Sequence, residues 1–151
     1  MGILRDYHYD DFEIGKVFIT GGRTITEAVV TYFAGVSGDM HNLHLNKNYG
    51  KKTIFGKNIA HGLCVLSVAS GDIVQTGIFE NVIAFFGIQD WRFMNPVFYD
   101  DTIRVKINVF EKRESSKKDR GTITLDLEIV NQKDEIVQKG RWVVIISRKN
   151  N

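Results

Sequence analysis

The sequence holds a single cysteine, Cys64, and a single proline, Pro96, among its 151 residues. One thiol cannot close a disulfide within its own chain, so no covalent framework is available to hold the fold. Cys64 lies in the apolar stretch 62–70, where a thiol packs as a small hydrophobe. Long apolar runs are missing too, and none approaches the roughly 18 residues that a membrane-spanning helix needs. Nor is there an excess of charge, since 20 basic side chains against 18 acidic ones leave +2, and Lys117, Lys118 and Arg120 cluster only in a predicted turn. That balance speaks against nucleic acid or an anionic membrane as a partner. The amino terminus, Met1 to Phe12, carries Arg5, Asp6, Asp10 and Asp11 and lacks the apolar stretch of a secretory signal. Met1-Gly2 begins like a myristoylation signal, but Asp6 stands where Ser or Thr is needed. The expectation is a soluble, cytoplasmic protein. With 43% hydrophobic residues, this length suffices for one domain, residues 1–151, with a real core, and not for two.

Val17 to Arg23 alternates weakly and ends at Gly21-Gly22, which predicts a short strand running into a turn. Thr26 is a helix N-cap by type, with Glu27 in the first turn and Val29, Val30, Phe33, Ala34 and Val36 at helical spacing up to Gly38. Residues 39–60 are polar and aperiodic, a loop long enough to suggest function. From Gly62 to Val74 the chain is apolar nearly all round, which predicts a helix buried on nearly all sides and closed by Gly77. The second half changes period. Val82 to Met94 is β-branched and aromatic, and Asn95-Pro96 makes a turn. Ile103, Val105, Ile107 and Val109, then Ile123, Leu125, Leu127 and Ile129, alternate with polar residues, so these are strands with one wet face. Residues 114–121 join them as a hairpin loop, 131–134 turn again, and Ile136 to Ile146 is the last strand. An antiparallel sheet curled round one central helix satisfies these faces. Phe85, Phe86, Trp91, Phe93 and Phe98 are expected mostly in the sheet core, with an acyl pocket as their other use.

The chemistry concentrates in Gly38-Asp39-Met40-His41-Asn42-Leu43-His44 and in Ala60-His61-Gly62. Asp39 and His44 flank a loop; if the fold brings them together, they can orient a water and move its proton. Taken singly, each is also an ordinary loop residue that bonds nearby amides. Gly62 opens the apolar helix, whose first amides lack intrahelical partners and favour negative charge. A thioester carbonyl over that amide would have its developing enolate oxygen stabilised as in an oxyanion hole. Tight packing of a helix start is the plainer role for Gly62, and capping or packing the plainer role for His61.

Thr26-Glu27, Phe33-Ala34-Gly35-Val36-Ser37-Gly38-Asp39, His44, Phe55-Gly56, Ile59-Ala60-His61-Gly62, Pro96-Val97 and Asp100-Asp101-Thr102-Ile103, in that order, resemble the MaoC-like dehydratases, which include the (R)-specific enoyl-CoA hydratases. The resemblance covers most of the chain. It implies an α+β hot-dog fold, a homodimer as minimal unit, and addition or removal of water across a 2-enoyl or 3-hydroxyacyl thioester of CoA. Asp39 and His44 match the family's catalytic pair, and Gly62 falls at its oxyanion amide. His41, Asn42 and His61 are candidates for positioning water or substrate. The family's usual Asp-x-Asn-Pro-x-His is here Asp39-Met40-His41-Asn42-Leu43-His44, so an imidazole replaces the water-positioning amide and Asn42 replaces the proline that shapes the loop.

Three other readings compete. Asp39, His41 and His44 offer two imidazoles and a carboxylate, a set that suits zinc or non-haem iron, yet no fourth ligand is evident; neither metal nor cofactor is expected. A hot-dog thioesterase would need a carboxylate on the buried helix, and Asp72 is the one present there. A non-catalytic acyl-thioester binding protein would not need both Asp39 and His44.

Overall fold

In the computed structural model, which describes residues 6–149, a 3-10 turn at Tyr9–Asp11 leads into two short strands, β1 (Val17–Ile19) and β2 (Arg23–Thr24). The expectation for Met1-Gly2 lies outside the described residues. Helix α1 (Glu27–Ser37) starts as its sequence predicts, with Thr26 Oγ1 accepting the Val29 N–H at 3.2 Å. It ends at Gly38 in the left-handed conformation, φ 78°. The loop that follows contains two single-turn helices, α2 (Asn42–Leu45) and α3 (Lys47–Gly50), which the aperiodic sequence did not announce. Then come the core helix α4 (Gly62–Gln75) and four long strands, β3 (Val82–Phe93), β4 (Thr102–Glu114), β5 (Arg120–Val130) and β6 (Ile136–Ser147).

The strands form one antiparallel sheet in the order β1-β4-β5-β6-β3, with β2 added against β4. In β4 and β5 the period-two pattern translates directly: Ile103, Val105, Ile107, Val109, Ile123, Leu125, Leu127 and Ile129 are all buried. Against them α4 lays Val65, Ala69 and Ile73, themselves 0–1% exposed. Burying one such side chain contributes about 1.5–3 kcal/mol, so this seam dominates the stability of the chain. An antiparallel sheet wrapped on one helix is the hot-dog fold, of the α+β class. Among the described residues, no helix is long and apolar enough to cross a membrane.

Two expectations need correction. Helix α4 is not enclosed on nearly all sides, because Leu63 and Val74 are more than half exposed while Cys64, Val65, Ala69, Asp72 and Ile73 face inward. A curled sheet covers only one side of a helix, and the apolar composition of the other side is left uncovered. The aromatic residues are likewise not mostly core. Phe85, Phe86 and Phe93 lie exposed on β3, the edge strand, whereas Trp91 packs against the core. The lone thiol behaves as expected: Cys64 is buried, and burial pushes it up to about 11.

Asp72 is the anomaly of the core helix. Only 7% exposed, it has one oxygen 3.7 Å from Arg23 Nη1 and the other with no partner among the described residues. Burial raises its pKa, and the Arg23 guanidinium only partly opposes that. A carboxyl whose folded pKa is raised binds its proton more tightly folded than unfolded. Stability therefore falls as pH rises through the window between the unfolded and folded values, and stays lower above it. Asp72→Asn is accordingly expected to be more stable than the wild type at neutral pH, the gain shrinking as pH falls below the usual carboxylate range. Thermal denaturation at both pH values checks this; a loss of stability at neutral pH would show that the Arg23 pair outweighs the burial cost.

Candidate active site

The site forms where three segments meet: the end of α1, the loop through α2 and α3, and the entrance to α4. Ile59 forms an isolated bridge with Phe98, and the Ala60 N–H donates to Val97 O at 2.8 Å. These bonds zip the segment before α4 to the chain after Pro96 and so fix where His61 and Gly62 stand.

Asp39 and His44 do converge. A carboxylate oxygen of Asp39 and one ring nitrogen each of His44 and His61 lie within 4.8 Å of one another. Their hydrogen bonds assign the tautomers, because a carbonyl only accepts. His44 Nδ1 is 2.8 Å from Ile59 O, so it carries the proton and leaves Nε2 with a free lone pair. His61 Nε2 is 2.9 Å from Asp39 O, so it donates there, and its buried Nδ1 has no partner among the described residues. The two rings stack with centroids 3.7 Å apart at 29°. Burial lowers the His44 pKa most; His61 and His41 lower it further, while the Ile59 carbonyl and Asp39 oppose them. His44 is thus held neutral and basic at its free nitrogen near neutral pH.

The loop is shaped by Asn58, a residue the sequence reading passed over. Only 5% exposed, its Nδ2 donates to the carbonyls of Asn42 (3.3 Å), Leu43 (2.9 Å) and Asn46 (2.9 Å). Gly50 allows this approach, since a Cβ there would lie 2.7 Å from Asn58 N. Tyr99 adds a hydrogen bond from its hydroxyl to His44 O. His41 is exposed, and its Nδ1 accepts the Leu43 N–H at 3.0 Å, capping α2. The Asp39 carboxylate accepts the His41 N–H at 3.2 Å. Asn42 is exposed and its carbonyl is one of those Asn58 collects.

Gly62 begins α4 with no side-chain cap from His61, so the first amides of the helix have no such partner. A Cβ there would lie 2.6 Å from Phe93 Cε1, so a side chain at this position would have to displace that ring. Beside it opens a cavity of about 290 Å³ lined chiefly by Phe55, Ile59, Val65, Phe93, Met94 and Val97, so Phe93 serves as a pocket wall after all. Gln138, 2% exposed, donates to Gly62 O at 2.9 Å and accepts the Trp91 Nε1–H at 3.1 Å. In the sequence Gln138 is simply one residue of the last strand, and no local signal marks it.

The potential metal set is not the one the loop suggested, since His61 rather than His41 joins Asp39 and His44. It does not suit an ion as arranged. Ligand lone pairs lie in the ring planes, and two planes stacked at 29° direct them nearly side by side instead of at one point. Asp72 is ten residues beyond Gly62, about 15 Å along the helix, beside Arg23 in a separate cavity. It therefore stands too far away to direct water at a carbonyl over Gly62.

An antiparallel sheet wrapped on one helix, with Asp39, His44 and His61 clustered before that helix, defines a hot-dog protein. The family model for the MaoC like domain matches residues 11–131, so the chain belongs to the MaoC-like dehydratase family. It is 33% identical over 140 residues to Protein MaoC of Klebsiella aerogenes, covering 93% of this chain but 38% of that protein's length. Over 146 residues it is 29% identical to a 3-hydroxybutyryl-CoA dehydratase of Methylorubrum extorquens, covering 97% of this chain and 88% of the relative. Among solved structures, an Archaeoglobus protein named as a monoamine oxidase regulatory protein superposes with a TM-score of 0.90 at 37% identity, covering 98% of this chain and 99% of the other.

Gln138→Leu removes the partner of the Gly62 carbonyl and of the Trp91 indole while keeping the volume. Its expected cost is about 1–3 kcal/mol of unfolding free energy, measured by urea denaturation with an unchanged slope. A cost near zero would mean that water replaces both bonds.

Proposed function

We propose that this chain, as a single hot-dog domain over residues 1–151, is a hydro-lyase that interconverts 2-enoyl and 3-hydroxyacyl thioesters of CoA. The reading rests chiefly on one observation: the Asp39 carboxylate and the imidazoles of His44, unprotonated at Nε2, and His61 cluster within 4.8 Å, and His61 immediately precedes Gly62, the first residue of the core helix. In hydration, Asp39 and His44 hold a water between them, and His44 Nε2 takes a proton as the oxygen adds to C3. The electron pair moves through C2 onto the thioester oxygen, where the Gly62 N–H stabilises the enolate. A proton returned to C2 completes the hydroxyacyl product and restores the neutral ring; dehydration runs the same steps backwards. Each of these effects has a known scale, about 10²–10⁴-fold for the proton transfer and about 10²–10³-fold for one oxyanion donor.

His41, Asn42 and His61 border the water and the thioester in this reading. His41 retains only Nε2 for that purpose, since Nδ1 caps α2. The apolar cavity beside Gly62 supports an acyl chain as its occupant, and the dehydratase name of the Methylorubrum relative agrees with that chemistry. A cytoplasmic place in fatty acyl metabolism belongs to the same reading.

The functional unit in this reading is a homodimer joined along β3. Among the described residues that strand is a 12-residue edge paired to β6 alone, and it exposes Ile83, Phe85, Phe86 and Ile88. An uncovered apolar edge of this length is a liability that native chains cover.

Asp39→Asn and His44→Ala are each expected to lower kcat for crotonyl-CoA hydration about 10²–10⁴-fold, followed as loss of enoyl absorbance. Wild-type rates in both variants would refute the assignment. Phe86→Lys, at a side chain 72% exposed, is expected to convert dimer to monomer in sedimentation velocity; an unchanged mass would place the contact elsewhere.

A further inference from the structure

The hydration steps give one buried imidazole, that of His61, no proton to move. His61 is 3% exposed and lies between two rings, Phe33 at 5.0 Å and His44 at 3.7 Å. His41 joins the same two residues through its backbone, whereas His61 reaches both with its side chain: Nε2–H holds the Asp39 carbonyl, and its face covers the His44 ring. A pure packing residue would leave neither contact needed, since any flat apolar side chain fills the same space. A helix cap would use its ring on the first amides of α4, and His61 makes no such bond.

We propose that His61 is a positioning residue, clamping the Asp39 peptide with its Nε2–H and, through the stacked ring, disfavouring positive charge on His44 so that this imidazole stays a base. The inference rests on the hydration reading for its catalytic meaning, while its physical content, coupling between two rings, stands apart from turnover. Two imidazoles this close repel when both are charged, so the His61 ring opposes protonation of His44. The other groups facing His44 are the Asp39 carboxylate, which acts in the opposite sense, and His41, whose ring centroid is 6.2 Å away. Tyr99 donates its hydroxyl to the His44 carbonyl.

The two functions separate by substitution. His61→Gln keeps an amide donor for Asp39 O but removes the ring; His61→Phe keeps a stacked ring but removes the donor and the titratable group. Both are expected to move the acid limb of the kcat profile for crotonyl-CoA hydration to higher pH, because the like charge beside His44 is gone. His61→Phe is expected to lose in addition roughly tenfold in kcat at the plateau with KM little changed, the size of one lost hydrogen bond of about 1.4 kcal/mol. Acid limbs identical to wild type in both variants would reduce His61 to packing and overturn the proposal. Nitrogen-15 imidazole spectra of the wild-type protein give a second readout that needs neither variant nor turnover. They are expected to show Nδ1–H on His44, Nε2–H on His61 and a His44 titration below that of a free histidine; the opposite tautomers, or a His44 titration like that of a free histidine, would overturn the proposal. An inactive wild type with coupled rings would instead count against the hydratase reading alone.

Discussion

The junction between His61 and Gly62 is the constraint on which the rest of the site depends. A helix start buried in a curled sheet cannot drift, because α4 is locked through Val65, Ala69 and Ile73 into the apolar face of the sheet. The junction is held from several directions: the Ala60 amide on Val97, the Gly62 carbonyl on Gln138, and the Phe93 ring against the glycine itself. From that fixed point the His61 ring reaches back to the Asp39 carbonyl and lies on His44. Placement of the pair therefore follows from core packing in addition to loop preference. Electrostatic catalysis needs such rigidity, since donors and bases that must reorganise during the reaction lose most of their advantage.

The departures from the family's usual loop acquire a physical explanation. Where a proline would restrict the backbone, Asn42 has no such restriction, and Asn58 restores it from outside by collecting three carbonyls of the loop. His41, standing where an amide is usual, folds its ring onto the backbone of the next turn and caps it. The short helices α2 and α3 are consequences of those contacts and carry little stability of their own, as single turns rarely do.

Much of this was legible in the chain. Clean alternation in β4 and β5 located the sheet, because a strand with one wet face has a period of two. Thr26 and Gly38 bracketed α1, because caps are chosen by chemistry that acts over three or four residues. Asp39, His44 and Gly62 were legible through family resemblance, and their roles remain proposals. What stayed hidden depends on contacts remote in sequence. Gln138 reaches Gly62 across 76 positions, and Asn58 reads as an ordinary loop residue until α2 folds over it. The exposure of Phe85 and Phe86 was misjudged for a related reason: an edge strand and a central strand have the same composition, and only pairing tells them apart. For α4, composition told of burial but not which side the sheet would leave open.

The central claim is that the entrance of α4 polarises a thioester carbonyl. Difference infrared spectroscopy of bound butyryl-CoA, a saturated thioester that cannot be hydrated, reads that polarisation directly. The account predicts a carbonyl stretch shifted to lower frequency on binding, by donation from the Gly62 amide; a frequency unchanged from that of the free thioester in water would contradict it.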